Sequence, residues 1–181
     1  MTKLQPNAVA FQGPTLTQAV RWIGNENGHA AAPNWIASEN SMTNGPGHSN
    51  GTVVAPAEVD TPFATGQSIW WWSPGQTFKT LRELQIEHDN TVGHNANLLL
   101  GMTPDFSGSL PKAHIARYKE FGDWRRSCYG ETNIIAEKKG VKVLAGDSVM
   151  LPIPTGGTAN CNINVFPEFC IENAEMAENY P

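Results

Sequence analysis

The sequence predicts an α/β fold with a parallel sheet over residues 1–130, followed by a separate β-rich module over 131–181. Three observations carry this. Two strand-like runs, Gly51–Asp60 (GTVVAPAEVD) and Ala96–Asp105 (ANLLLGMTPD), contain continuous apolar stretches closed by Gly, Pro or acidic residues. Such runs fit strands buried on both faces, as in parallel sheets. Between and after them lie two helical patterns, so the order strand, loop, strand, helix, strand, helix implies a parallel α/β arrangement. Beyond Gly130 the pattern changes to short β-type runs, VKVLAGDSVMLPIP and ANCNINVFPEF, split by Gly, Pro and Thr, which read as antiparallel strands.

The elements follow in order. LQPNAVAF near the start reads as a helix end, a Pro-Asn turn and a short apolar strand, as if the chain began inside a helix–strand connection with a segment missing upstream. The segment Val20–Gly28 (VRWIGNENG) follows and sets Arg21, Trp22 and Glu26 among turn-forming Asn and Gly. Thr80–Asn90 places Leu81, Leu84 and Ile86 opposite charged residues, an amphipathic helix. Pro111 opens the second helix, Ala113–Cys128, with Ile115, Tyr118, Phe121 and Trp124 as its packing residues. The closing CIENAEMAENYP has no obvious final element, so the β module is expected to be incomplete.

Composition narrows the function. Of 181 residues, 17 are Gly and 13 Pro, and only 16% are charged, below the roughly 25% typical of globular chains, so loops are long. A net charge of −5 argues against nucleic acid as a partner, and Arg125-Arg126 with Lys119 reads as a solvated helix face. The sequence holds no apolar run long enough to span a membrane, and its N-terminus lacks the apolar core of a secretory signal. Cys128, Cys161 and Cys170 show no metal-type spacing; Cys161 and Cys170 pair if strands bring them together.

In a parallel α/β barrel, chemistry gathers where strands end. Those positions hold Arg21, Trp22, Asn25, Glu26 and His29, then Glu58 and Asp60 ahead of Trp70-Trp71-Trp72, then Thr103 and Asp105. Carboxylates, an arginine, amides and aromatic rings on one face suit a sugar: the acids move protons, and ring faces pack against pyranose C–H groups. The plainer readings are a solvated turn for Glu26, a buried structural carboxylate for Glu58, a turn or cap for Asp60, an apolar plug for the tryptophans, and solvated positions for His29 and His94.

Three blocks carry a resemblance: LQPNAVAF with VRWIGNENGHA, then VVAPAEVD with WWWSPGQ, then TVGHNANLLLGMTPDFSGSLPKAHIARYKEFGDW. In order and spacing they resemble the α-L-fucosidases, in particular the branch acting on fucose of branched glycans. The resemblance covers most of Leu4–Gly130. It implies the C-terminal portion of a (β/α)8-like barrel followed by an incomplete antiparallel β-sandwich, and a retaining hydrolase of terminal α-L-fucose that needs no metal or organic cofactor. The substrate is then a fucosylated oligosaccharide or glycoprotein glycan, and the location extracellular or lysosome-like.

The resemblance also implies roles. Retaining glycosidases use two carboxylates about 5–5.5 Å apart, a nucleophile and an acid/base. The family's nucleophile aspartate sits in a Trp-x-Asp-Gly type motif that this chain lacks; by family spacing it falls upstream of Met1. Glu26 matches the acid/base and Glu58 is its rival. Arg21 matches an arginine beside the sugar, with Trp22, Trp70, Trp72 and His29 as further substrate contacts. Ser73 stands where the family usually has histidine. The competing readings are a non-catalytic carbohydrate-binding remnant and a truncated inactive fragment.

Overall fold

The computed structural model describes residues 5, 8–13, 19–66 and 69–130. The expected β-sandwich over 131–181 lies outside them. The core is a four-stranded, wholly parallel sheet in the order β1 (Ala10–Phe11), β2 (Ala19–Trp22), β5 (Ala57–Pro62), β8 (Asn97–Gly101). Between β2 and β5 the chain makes a small antiparallel pair, β3 (Ala37–Ser38) with β4 (Val53–Val54). A second such pair, β6 (Ala64–Thr65) with β7 (Thr77–Phe78), precedes helix α1 (Leu81–Thr91), and α2 (Lys112–Tyr129) follows β8. The α/β class with a parallel sheet is therefore as expected.

Three details differ from the sequence reading. The run Gly51–Asp60 is two strands, because Pro56 lacks an N–H and the chain turns there. Val53–Val54 pairs with β3, and only from Ala57 does the chain join the parallel sheet. In β8 the triple leucine is not buried on both faces, since Leu99 is exposed while Leu98 and Leu100 pack against the helix side. On the helices Ile86, Ile115 and Tyr118 face outward, and the buried positions include His88 and His114.

The sheet's alternation explains its packing. Along β5, Ala57, Val59 and Thr61 point inward and Glu58 and Asp60 outward. The small inward residues join Ile23, Ala30 and Ala96 in one apolar cluster. A second cluster of Phe63, Leu84 and Phe121, with Phe78, Leu98, Leu100 and Trp124 around it, seats α1 and α2 on the sheet. Helix α1 starts at a capping box: the Thr80 hydroxyl accepts from the Glu83 amide while Glu83 accepts from the Thr80 amide. On α2, Asp123 pairs with both Lys119 and Arg126 on an exposed face. Near its end Cys128 is disulfide-bonded, while Cys161 and Cys170 lie outside the described residues.

Candidate active site

Strand β2 alternates as β5 does. Ala19 and Arg21 are buried, whereas Val20 and Trp22 look to the opposite face. Register places Trp22 beside Glu58 and Glu58 beside Asn97. The Trp22 indole Nε1 donates a 2.8 Å hydrogen bond to Asp60 Oδ1. Trp22, Glu58 and Asp60 thus share one face, and with Glu26, Phe11 and Leu99 they line an open cleft of about 520 Å³.

Glu26 reaches this cleft from the loop after β2. Gly24 takes a φ of +103°, a left-handed conformation that glycine adopts without strain, and so turns the chain at the strand end. Asn25 then closes the loop twice. Its Nδ2 donates to His29 O at 2.9 Å, and its Oδ1 accepts from the Asn27 amide at 3.2 Å. The Asn and Gly residues that suggested a turn thus present Glu26 at an exposed tip.

The carboxylates have different surroundings. Burial, and secondarily the like charge of Asp60, raises the pKa of Glu58 above the ordinary glutamate value. A carboxylate with a raised folded-state pKa binds more protons folded than unfolded, so its contribution to stability falls as pH rises from about 4.3 upward. Glu58→Gln removes that contribution. Thermal midpoints measured from pH 4 to 8 are expected to favour the variant increasingly over wild type as pH rises; a constant difference would show that Glu58 is not so perturbed.

No family model matches the chain. It is 31% identical over 147 residues to α-L-fucosidase 1 of Arabidopsis thaliana, an alignment covering 75% of this chain and 27% of that protein. A Ruminococcus gnavus fucosidase, solved in complex with fucose, superposes with a TM-score of 0.54 at 32% identity, over 62% of this chain and 24% of that one. A Bacteroides thetaiotaomicron protein described as an α-L-fucosidase superposes with a TM-score of 0.64 at 31% identity, over 72% and 32%. Over this span the chain belongs to the α-L-fucosidase family. It corresponds to roughly a quarter to a third of the length of these relatives.

Not every residue singled out in the sequence reaches the cleft. Arg21 is 0% exposed, and its guanidinium is spent on scaffold: Nη1 donates to Ala55 O at 2.8 Å, and Nη2 to Asn34 Oδ1 at 3.1 Å and Trp35 O at 2.7 Å. The reason is parity, since a strand residue beside Trp22 faces the other way. Arg21 therefore serves the scaffold and does not line the cleft formed by the described residues. His29 is exposed but meets His94 edge to face, with centroids 5.8 Å apart, instead of lining the cleft.

The tryptophans at 70–72 occupy a neighbouring position. Trp70 packs on Gly101 at the end of β8, where a Cβ would approach its ring to 2.9 Å. Trp71 is 77% exposed. Trp72 meets exposed Phe106 edge to face at 4.8 Å and borders a second, smaller cleft of about 210 Å³ with Ser73, Gln76, Asp105 and His114. Asp60, read from sequence as a turn or cap residue, is a cleft residue; its i+2 spacing from Glu58 within a strand was the available signal. Among the described residues no cluster of His, Cys, Asp and Glu could hold a metal ion, and no helix is long and apolar enough to cross a membrane.

Proposed function

We propose that the protein hydrolyses terminal α-L-fucose from a fucosylated oligosaccharide or glycoprotein glycan with retention of configuration, and that the described residues form the C-terminal part of a (β/α)8-like catalytic barrel. The observation that carries this reading is the meeting of Glu26, Glu58 and Asp60 with the Trp22 ring in one cleft of a fucosidase-family chain. Glu26 acts as the acid/base. Its carboxylic acid protonates the departing glycosidic oxygen as the nucleophile of the family's mechanism takes the anomeric carbon. The resulting carboxylate then accepts a proton from the water that releases fucose, which restores the acid. Trp22 offers its ring to the sugar's C–H face while its N–H donates to Asp60 Oδ1 and orients that carboxyl group toward the ring hydroxyls.

A second reading makes Glu58 the acid, favoured by the upward direction of its pKa, since burial and the like charge of Asp60 favour the protonated form that a donor needs. The sugars beyond fucose meet the exposed rings of Trp71 and Phe106 and the half-buried Trp72, in loops that follow β6 and β8. The disulfide at Cys128 favours an oxidising compartment, consistent with a secreted or lysosome-like enzyme.

The test is turnover of an aryl α-L-fucoside by the protein purified from its source, followed by proton NMR. Retention predicts that α-fucose appears first and mutarotates afterwards. First appearance of the β anomer would refute retention, and fucose binding without turnover would make the chain a lectin-like module.

A further inference from the structure

The loop that carries Glu26 lies against a buried ion pair that the fucosidase reading leaves without a role. Lys79, just after β7, pairs with Glu87 of α1, and both side chains are largely buried, 12% and 14% exposed. Lys79 Nζ also donates to Thr61 Oγ1 at 2.6 Å, and Thr61 Oγ1 donates to Glu87 Oε1 at 3.2 Å. Thr61 adjoins Asp60 on β5. The pair therefore locks α1 to the strand that supplies two cleft carboxylates.

The same glutamate touches the Glu26 loop. Gly28, two residues beyond Glu26, is buried with a φ of +70°. A Cβ placed there would come within 2.9 Å of Glu87 Cγ and 3.0 Å of its Cδ and Oε1. The loop leaves this contact through two further ties to the same helix end. The Ala30 amide donates to Asn90 O at 2.8 Å, and His94 Nδ1 lies 2.6 Å from Ala30 O.

We infer that Glu87 is a positioning residue for Glu26: held by Lys79 and Thr61, it forms the seat on which Gly28 rests, and so fixes the loop tip over Glu58 and Asp60. The inference rests on the proposed role of Glu26. An ion pair needed only to hold α1 on the sheet would not require a glycine packed on its carboxylate. Burial raises the Glu87 pKa against the opposing influence of Lys79 and Thr61, and its Oε2 has no hydrogen-bond partner. That is an imperfectly satisfied carboxylate kept next to the loop.

Glu87→Gln keeps the side-chain shape and removes the charge that holds it to Lys79. Leaving groups separate positioning from mere destabilisation, because dinitrophenolate departs without a proton and phenolate does not. The variant is expected to lose roughly tenfold or more in kcat/KM for phenyl α-L-fucoside and less than about twofold for the 2,4-dinitrophenyl compound. Gly28→Ala should show the same selectivity. Equal losses on both substrates, or none on either, would overturn the inference.

A second readout needs no activity. Amide hydrogen exchange across 24–30 should quicken about tenfold or more in Glu87→Gln, while the amide of Phe121 in α2 keeps its wild-type rate. Unchanged exchange at 24–30 would overturn the inference whatever the kinetics. A wild-type protein without turnover would instead refute the fucosidase reading, and the exchange comparison would still decide whether Glu87 holds the loop.

Discussion

Glu26→Gln should reduce kcat/KM for phenyl α-L-fucoside by about 10²–10⁴, the usual contribution of a general acid, with a much smaller loss for the 2,4-dinitrophenyl compound. The amide preserves shape and hydrogen bonding but cannot give up a proton, so the penalty follows how badly the leaving group needs one. The second half-reaction loses its base as well, which leaves a glycosyl–enzyme that water attacks slowly. Azide needs no deprotonation, so it should restore turnover of the dinitrophenyl substrate and yield a fucosyl azide. Full activity on phenyl fucoside would remove Glu26 from the acid/base role. The same profile in Glu58→Gln would transfer that role to Glu58, whose pKa is raised by burial and by Asp60.

Arg21→Met is expected to cost stability rather than substrate binding. Its guanidinium satisfies Ala55 O, Trp35 O and Asn34 Oδ1, all at 3.1 Å or less, inside a fully buried site. Methionine fills much of the space and donates nothing. Each buried acceptor left unpaired costs about 1–3 kcal/mol, offset in part by no longer burying a charge, for a net loss of roughly 3 kcal/mol. In a chain of this size that lowers the Tm by about 6–12 °C. Lysine would not rescue, because a single ammonium cannot span three acceptors set for a planar fork. A raised KM with unchanged Tm would mean that Arg21 reaches substrate after all.

The outcome for Arg21 shows what the sequence could and could not convey. Both helices were legible within a residue or so, the first from Leu81 and Leu84 set opposite charged residues and the second from Pro111 at its start. The parallel sheet followed from the order of elements. Glu26 was legible as a cleft residue from its place just after β2, whereas Glu58, read as a strand end, is the second residue of β5 and reaches the cleft beside Trp22. What composition and spacing do not encode is parity. Arg21 and Trp22 are equally plausible sugar contacts until the register with β5 fixes which one turns toward Glu58. Leu99 misled for the same reason, because an apolar residue at the wall of a cleft looks in sequence like one in a core. The split at Pro56 was signalled by the proline itself, but the capture of the adjacent Ala55 carbonyl by Arg21 joins positions 34 residues apart. The sandwich expected over 131–181 lies outside the described residues.

Strand β5 carries its alternation through Glu58, Val59, Asp60 and Thr61, one set inward and one outward. Gaining or losing a single residue there would swing both acids into the alanine- and valine-lined interior and turn that interior toward solvent. Two failures, of folding and of chemistry, would come from one event. Descendants of this sequence should therefore tolerate length changes in the loops at 39–52 and 69–76 while keeping the length of β5 fixed, so that indel tolerance along the gene maps the floor of the cleft without any substrate being known.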